Sequence, residues 1–226
     1  MRRVVTIDGP AGAGKSTVAR RVAERLGWRY LDTGAMYRAV TLAAVRAGVD
    51  LSSEPALVEL TARIEVRMPP GRVLLNGQDV AAAIRDRAVT ESTRFVADSP
   101  GVRARLVQWQ RQFAAEFDTI TEGRDQGTIV FPNALRKFFL TASCEERARR
   151  RHAELRAKGE SLPWESVLHD IARRDAGDAA RAIAPMRAAE DAVLIDTTGL
   201  TLDEVVACLL GEIGHATAAV REGGAA

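Results

Sequence analysis

The sequence predicts an α/β fold: a five-stranded parallel sheet flanked by helices, interrupted by one small antiparallel insert. Three observations carry this. Val4–Ile7 is a short β-branched run that stops at Asp8-Gly9-Pro10, and after the glycines apolar residues recur at helical spacing. Brief apolar strands then keep alternating with helical stretches, an order that belongs to parallel βαβ units. Between Ala62 and Asp79 the pattern departs from that alternation and reads as a hairpin.

In chain order, Val18, Ala19, Val22, Ala23 and Leu26 mark one helical face, which Gly27 ends. Trp28 to Leu31 is a second strand, and a helix follows from about Thr33 to Val45. Ile64 to Met68 alternates, Pro69-Pro70-Gly71 breaks the chain, and Val73-Leu74-Leu75 resumes before Asn76-Gly77. Two helical stretches cover about 80–97 and 101–117. Thr119–Thr121, Phe138–Leu140 and Ala192–Ile195 supply the third, fourth and fifth strands. Arg-rich helices from Glu145 to Lys158 and from Pro163 to Asp175 lie between the last two. A closing helix places Leu202, Val205, Val206, Leu209, Leu210 and Ile213 on one face, toward the sheet.

The 226 residues suit one substantial domain with an inserted lobe, and 46% apolar with 27% charged residues is ordinary for a globular protein. A net charge of +2 demands no basic surface for nucleic acid. Cys144 and Cys208 fit no metal-ligand spacing, which points to a reducing compartment. The start Met1–Val5 is broken by Asp8 and the glycines too early for a signal peptide, and no window has the apolar length of a membrane span. A cytoplasmic protein is expected. His152, His169 and His215 form no cluster, and the three Trp residues read as packing.

Gly9-Pro10-Ala11-Gly12-Ala13-Gly14-Lys15-Ser16 matches G-x-x-x-x-G-K-[ST], between a strand and a helix as the motif requires. Amides turned inward around phosphate oxygens need a backbone free of side-chain restriction, and the helix N-terminus adds donors and partial positive charge. Lys15 supplies a compact ammonium to the β and γ phosphates, and Ser16 a hydroxyl to Mg²⁺. Of 32 basic residues only Lys15, Lys137 and Lys158 are lysines, so a Lys at this position is informative. No Lys follows an Asn, which excludes the guanine-reading pair of a GTPase switch; Asp196–Gly199 fits D-x-x-G but reads as the turn after the last strand.

A phosphoryl-transfer enzyme needs further positive charge around the transferred group. Candidates are Arg38, Arg103, Arg124, the cluster Arg147, Arg149, Arg150 and Arg151, and the group Arg173, Arg174 and Arg181. Surface ion pairing is the commoner role for any single Arg. Arg124 is the exception, because Glu122-Gly123-Arg124-Asp125 comes straight off a strand tip, where parallel sheets bind ligands. Glu122 there is a candidate to hold Mg²⁺ through water, with loop capping the alternative.

Several blocks in order resemble the bacterial cytidylate kinase family over residues 3–217: Thr6–Thr17, Leu31–Arg38, Pro100–Arg103 with Gln110-Arg111, Gly123–Asp125 with Gly127-Thr128 and Phe131-Pro132, and Arg174–Arg181 with Ala184-Pro185. The resemblance implies a P-loop nucleoside-monophosphate-kinase-like fold and ATP- and Mg²⁺-dependent phosphorylation of CMP and dCMP. It implies that Gly9 to Thr17 bind ATP and that Thr33, Tyr37, Arg38, Arg124 and Arg181 hold the acceptor, mainly its phosphate. It further implies that Arg103 and Asp125 read the cytosine edge, that Arg174 and Asp178 contact the sugar, and that Arg150 and Arg151 cover the ATP phosphates. Lys15, Arg124, Arg150, Arg151 and Arg181 are then the catalytic set.

The implied layout is a kinase domain over 1–217, with a core of about 1–60, 118–143 and 176–217. A monophosphate-binding lobe with the hairpin covers about 61–117, a lid about 144–165 and a flexible tail 218–226. Expected partners are small nucleotides, with no nucleic acid or membrane, for a monomer. Another P-loop kinase acting on UMP, shikimate or a similar acceptor is the alternative; a non-enzymatic nucleotide-binding regulator is a further one.

Three positions depart from the family pattern. Nine residues before Arg103, where the family has a serine that contributes to the base, stands Arg94. Either Ser92 or Thr93 substitutes through a register shift or Arg94 enters the base pocket. Gln126 replaces an apolar residue after Arg124-Asp125, and Ala180 a small polar one.

Overall fold

The computed structural model describes residues 2–157, 159–180 and 183–223. In chain order its elements are β1 (Val4–Asp8), α1 (Lys15–Leu26), β2 (Arg29–Asp32), α2 (Thr33–Arg46) and α3 (Glu54–Arg63). Three two-residue strands follow, β3 (Val66–Arg67), β4 (Leu74–Leu75) and β5 (Gln78–Asp79). After them come α4 (Arg87–Asp98), α5 (Pro100–Glu116), β6 (Thr119–Gly123), β7 (Arg136–Thr141), α6 (Cys144–Ala157), α7 (Trp164–Ala179), β8 (Val193–Asp196) and α8 (Leu202–Gly223).

Five strands form one sheet in the order β2-β6-β1-β7-β8, every pair parallel. The chain therefore leaves β1 in the middle of the sheet and reverses its direction of winding there, which opens a crevice at the strands' carboxyl ends. Register decides what meets in that crevice. Asp8 lies beside Gly123, and Asp32 beside Glu122. The glycine loop after β1 thus borders the tips of β2 and β6.

Both faces of the sheet are covered, so β6 is buried at every residue and β1 at all but its first, without the alternation of a one-sided sheet. Val5, Ile7, Ile120, Phe138 and Leu140 pack with Val18, Ala19 and Val22 of α1 and with Val205, Val206, Leu209 and Ile213 of α8. This is the apolar face expected of the closing helix. On the other side Leu31, Met36, Val40 and Ala44 meet Val96, Val102 and Leu106 of α4 and α5. A separate small core under α6 and α7 joins Ala148, Leu155, Val167 and Ile171 to Ala11 of the glycine loop. Trp28, Trp109 and Trp164 each pack against one of these cores, the packing role expected of them.

The insert is one strand longer than the expected hairpin. Asn76 and Gly77 both have positive φ, 49° and 81°, and make the two-residue turn that pairs Leu75 with Gln78. Asn-Gly is the strongest short hairpin signal, and it begins a second hairpin where the sequence reading ended the first. The stretch 80–97 is not one helix. A 3₁₀ turn at Ala83–Arg85 stops at Asp86, whose carboxylate accepts from Ala88 N (2.8 Å) and starts α4. Helix α3 was not anticipated, although Ser53-Glu54-Pro55 is a helix-start pattern. Residues 218–223 of the expected tail stand on α8; residues 224–226 and Lys158 lie outside the described residues. Among the described residues no helix is long and apolar enough to cross a membrane.

Candidate active site

The glycine loop is shaped by a contact only Gly allows. A Cβ on Gly9 (φ 141°) would lie 2.0 Å from the carbonyl oxygen of Leu140, inside van der Waals contact with the neighbouring strand. Gly14, in the left-handed conformation at φ 86°, then turns the chain into α1, so that Lys15 begins the helix. Lys15 is 5% exposed, and its ammonium donates to the Pro10 carbonyl (2.7 Å) across the loop. Burial pushes its pKa down to about 7, and the Arg124 guanidinium pushes the same way, against Glu122 and Asp8. An anion in the loop would reverse that shift.

Ser16 donates its hydroxyl proton to Glu122 Oε1 (2.8 Å), and the Tyr30 hydroxyl donates to the same oxygen (3.3 Å). Glu122, only 6% exposed, is thereby held at the tip of β6. Two hard oxygen donors beside a phosphate loop suit Mg²⁺, which keeps several waters and borrows phosphate oxygens rather than requiring an all-protein cage. Among the described residues no group of three His, Cys, Asp or Glu side chains is placed to hold a metal ion.

The acceptor candidates gather on the β2 and β6 side. Asp32 accepts from Ala35 N (2.7 Å) and so caps α2. The same oxygen lies 3.5 Å from Arg38 Nη2. The buried Arg38 Nε has no hydrogen-bond partner among the described residues, a donor left for a ligand. Thr33 donates its hydroxyl to the Glu122 carbonyl (2.7 Å) and ties the start of α2 to β6. Arg103 of α5 pairs with Asp125, both side chains 8% exposed. Its Cζ lies 6.0 Å from the centre of the Tyr37 ring. Arg124 donates through Nε to Asp178 of α7 (2.7 Å) and through Nη1 to Gly123 O (3.1 Å). Arg174, one turn before Asp178, has its pKa lowered first by burial and then by the nearby Arg124. Cations held this close repel one another until an anion arrives.

The Arg cluster on α6 divides. Arg150 bonds Glu146 Oε1 (2.8 Å), Thr197 Oγ1 (3.0 Å) and the Thr197 carbonyl (2.7 Å), and its Nη1 comes within 3.8 Å of where a Gly14 Cβ would sit. Arg151 pairs with Glu154 on the helix surface. Arg147 turns inward: it is 6% exposed, donates to Ala142 O and Ala11 O, and pairs with Asp175 at 2.6 Å. It therefore braces the glycine loop at Ala11, a different place from the candidate role beside the transferred group that its cluster suggests. Arg181 lies outside the described residues. Glycine loop, Asp32, Arg38, Glu122, Arg150 and Arg174 line one cleft of about 690 Å³.

Arg94 turns toward solvent, away from the second of its two expected placements. It lies on the exposed side of α4 with its guanidinium 4.7 Å from the ring centre of Phe95. Thr93 points the other way, donating to Val89 O and meeting Thr41 across to α2. Asp196 accepts from Thr198 N (2.9 Å), the turn after the last strand that the D-x-x-G reading gave way to.

Gln126, the polar departure, is fully paired although 1% exposed: Thr121 donates to its Oε1 (3.0 Å), and its Nε2 donates to Gln110 Oε1 (3.1 Å). Gln126→Ala would strand both partners beside a cavity. We expect a loss of roughly 2–4 kcal/mol in stability, read as a fall in Tm of roughly 5–15 °C by calorimetry.

The sequence reading missed Asp8, Asp32 and Tyr30. Asp32 had a signal, because an Asp immediately before a helical run is a cap pattern. Tyr30 and Asp8 had none, since each acts across the sheet.

A family model described as cytidylate kinase matches residues 5–215. A cytidylate kinase of Carboxydothermus hydrogenoformans is 49% identical over 215 residues, covering 93% of this chain and 97% of its own. One of Desulforamulus reducens is 51% identical over 207 residues, covering 90% and 93%. One of Stutzerimonas stutzeri is 45% identical over 216 residues, covering 93% and 94%. Among solved structures, a gluconokinase of Sinorhizobium meliloti superposes with a TM-score of 0.50 at 16% identity over 95% of this chain and 94% of its own, a likeness of fold. An uncharacterized protein from Eubacterium ventriosum gives 0.53 at 10% identity over 94% and 99%.

Proposed function

We propose that this chain, which belongs to the cytidylate kinase family, transfers the γ-phosphoryl group of ATP to CMP and dCMP, releasing ADP and CDP or dCDP. The observation that carries the reading is the strand register. It sets the glycine loop after β1 directly beside the Arg124-Asp125 tip of β6, with the buried Arg103–Asp125 pair behind it.

In this reading Gly9 to Thr17 cradle the ATP phosphates with backbone amides and the α1 N-terminus. The Lys15 ammonium moves from the Pro10 carbonyl to the β and γ phosphates. Ser16 would hold Mg²⁺ directly and Glu122 through a bound water, Tyr30 steadying that carboxylate; when bound, the ion neutralises charge on the β and γ oxygens. An acceptor phosphate monoester is already a nucleophile, so no covalent enzyme intermediate is required. Arg38 and Arg124 take its charge, with Arg181 assigned to the same anion by the family resemblance. Arg124 thereby releases Asp178 to accept from a sugar hydroxyl beside Arg174. Thr33 keeps α2 and its capping Asp32 in place.

Cytosine offers an exocyclic amine next to N3 and O2 acceptors, the complement of a carboxylate beside a guanidinium. Asp125 takes the amine, Arg103 donates to the acceptors, and Tyr37 flanks them. Arg150 and Arg151 leave Thr197 and Glu154 to cover the ATP phosphates. The division into a core, a lobe at about 61–117 and a lid at about 144–165 follows, since closure of the two excludes water.

A coupled ADP-release assay tests the reading. CMP and dCMP should give kcat/KM at least a hundredfold above UMP and AMP, with no turnover of shikimate. Faster turnover of UMP or shikimate, or ADP release indifferent to any acceptor, overturns it.

A further inference from the structure

Asp8 has no part in the mechanism above, yet its carboxylate is buried and bonded through both oxygens. It ends β1, one residue before the glycine loop, and is 4% exposed. Oδ1 accepts from Gln126 N at 2.9 Å and Oδ2 from Gly127 N at 2.7 Å. Those amides open the π-turn Gln126–Val130, and the residue before them is Asp125. The fit is close. A Cβ on Gly127 would lie 2.9 Å from Thr6 Oγ1 and 3.4 Å from Asp8 Oδ2, so β1 and the turn touch backbone to side chain.

A carboxylate buried away from water is costly unless its oxygens are bonded. Burial pushes the Asp8 pKa up to about 6, while the amides of Gly127 and Gln126 pull it back. The charged groups facing it are Asp125, which raises it, and Lys15, which lowers it. Two oxygens bound to two consecutive amides fix both the position and the rotation of a turn. An amide side chain cannot do this, because its nitrogen would face an N–H donor.

We propose that Asp8 is a positioning residue for the acceptor site: from the donor strand it clamps the turn that presents Arg124 and Asp125, so that the acceptor is held in place relative to the glycine loop. The inference rests on the function proposed above.

Asp8→Asn separates this role from a merely structural one. The variant keeps one amide bond and sets a donor against the other amide, so KM for CMP should rise at least tenfold and preference for CMP over UMP should fall. KM for ATP should change far less than KM for CMP, because both hydrogen bonds of the Asp8 carboxylate go to the turn after β6. In the wild-type protein, the amide proton resonances of Gln126 and Gly127 should share one titration with a midpoint of about 6, the Asp8 value, lost in Asp8→Asn. An unchanged KM for CMP, a parallel loss at both substrates, or Gln126 and Gly127 amides that follow no carboxylate titration while the chain stays folded overturns the proposal. Should the variant fail to fold, the wild-type titration decides. If the wild-type chain does not phosphorylate CMP, the functional reading fails, while the amide titration still reports the clamp.

Discussion

Lys15→Ala should lower kcat by about a thousandfold or more, the scale set by removing one electrostatic contact made at the transferring group. The fold should not suffer. Lys15 is buried with its pKa pushed from 10.5 down to about 7, so the folded chain binds its proton less well than the unfolded chain. The unfolded state then carries more protons between those values, and stability rises with pH across that window. Alanine removes this dependence and, at pH 7, removes an unfavourable burial. We therefore expect a Tm equal to or above that of the wild type at pH 7, with the advantage shrinking toward pH 9. A turnover near the wild-type value would refute the mechanism. A large fall in Tm would show that the bond to Pro10 holds the loop in shape.

The motifs that were legible are those whose backbone or chemistry admits few residues. Gly9 cannot carry a side chain against Leu140, Gly14 needs a left-handed turn, and an ammonium beside them has one common purpose. The tip of β6 was legible because Glu122-Gly123-Arg124-Asp125 ends a short strand in charged residues around a glycine. What failed were features fixed through space. Arg147, Arg149, Arg150 and Arg151 crowd one helix, and spacing alone does not say which faces inward; the small core under α6 and the Asp175 carboxylate decide that it is Arg147. The third strand of the insert, β5, has two exposed residues, too few for alternation to register. Helix α3 buries only Leu57 and Thr61, so its apolar stripe is thin. Asp8 reaches Gln126 and Gly127 across 118 and 119 residues of chain, a separation at which no local pattern exists.

Asp125→Ala should have two separable effects. Arg103 and Asp125 are each 8% exposed, so losing the carboxylate leaves a guanidinium buried without its counter-charge. Breaking one side of such a pair costs about 3–5 kcal/mol, visible as a lower midpoint in urea. Selectivity should fall as well. A carboxylate accepts from the amine of cytosine and repels the carbonyl oxygen that uracil carries there, so its loss should cut the CMP preference over UMP by roughly tenfold to a hundredfold, the scale of one good base-edge contact. The double variant Arg103→Met, Asp125→Leu distinguishes the two effects. Replacing a buried ion pair by apolar residues of similar size is often neutral or stabilising, so the midpoint should return toward the wild-type value. The CMP preference should not return, because neither new side chain can hydrogen-bond a base. Restored selectivity in the double variant, or unaltered selectivity in Asp125→Ala, would remove this pair from base recognition and leave it as a support between α5 and the tip of β6.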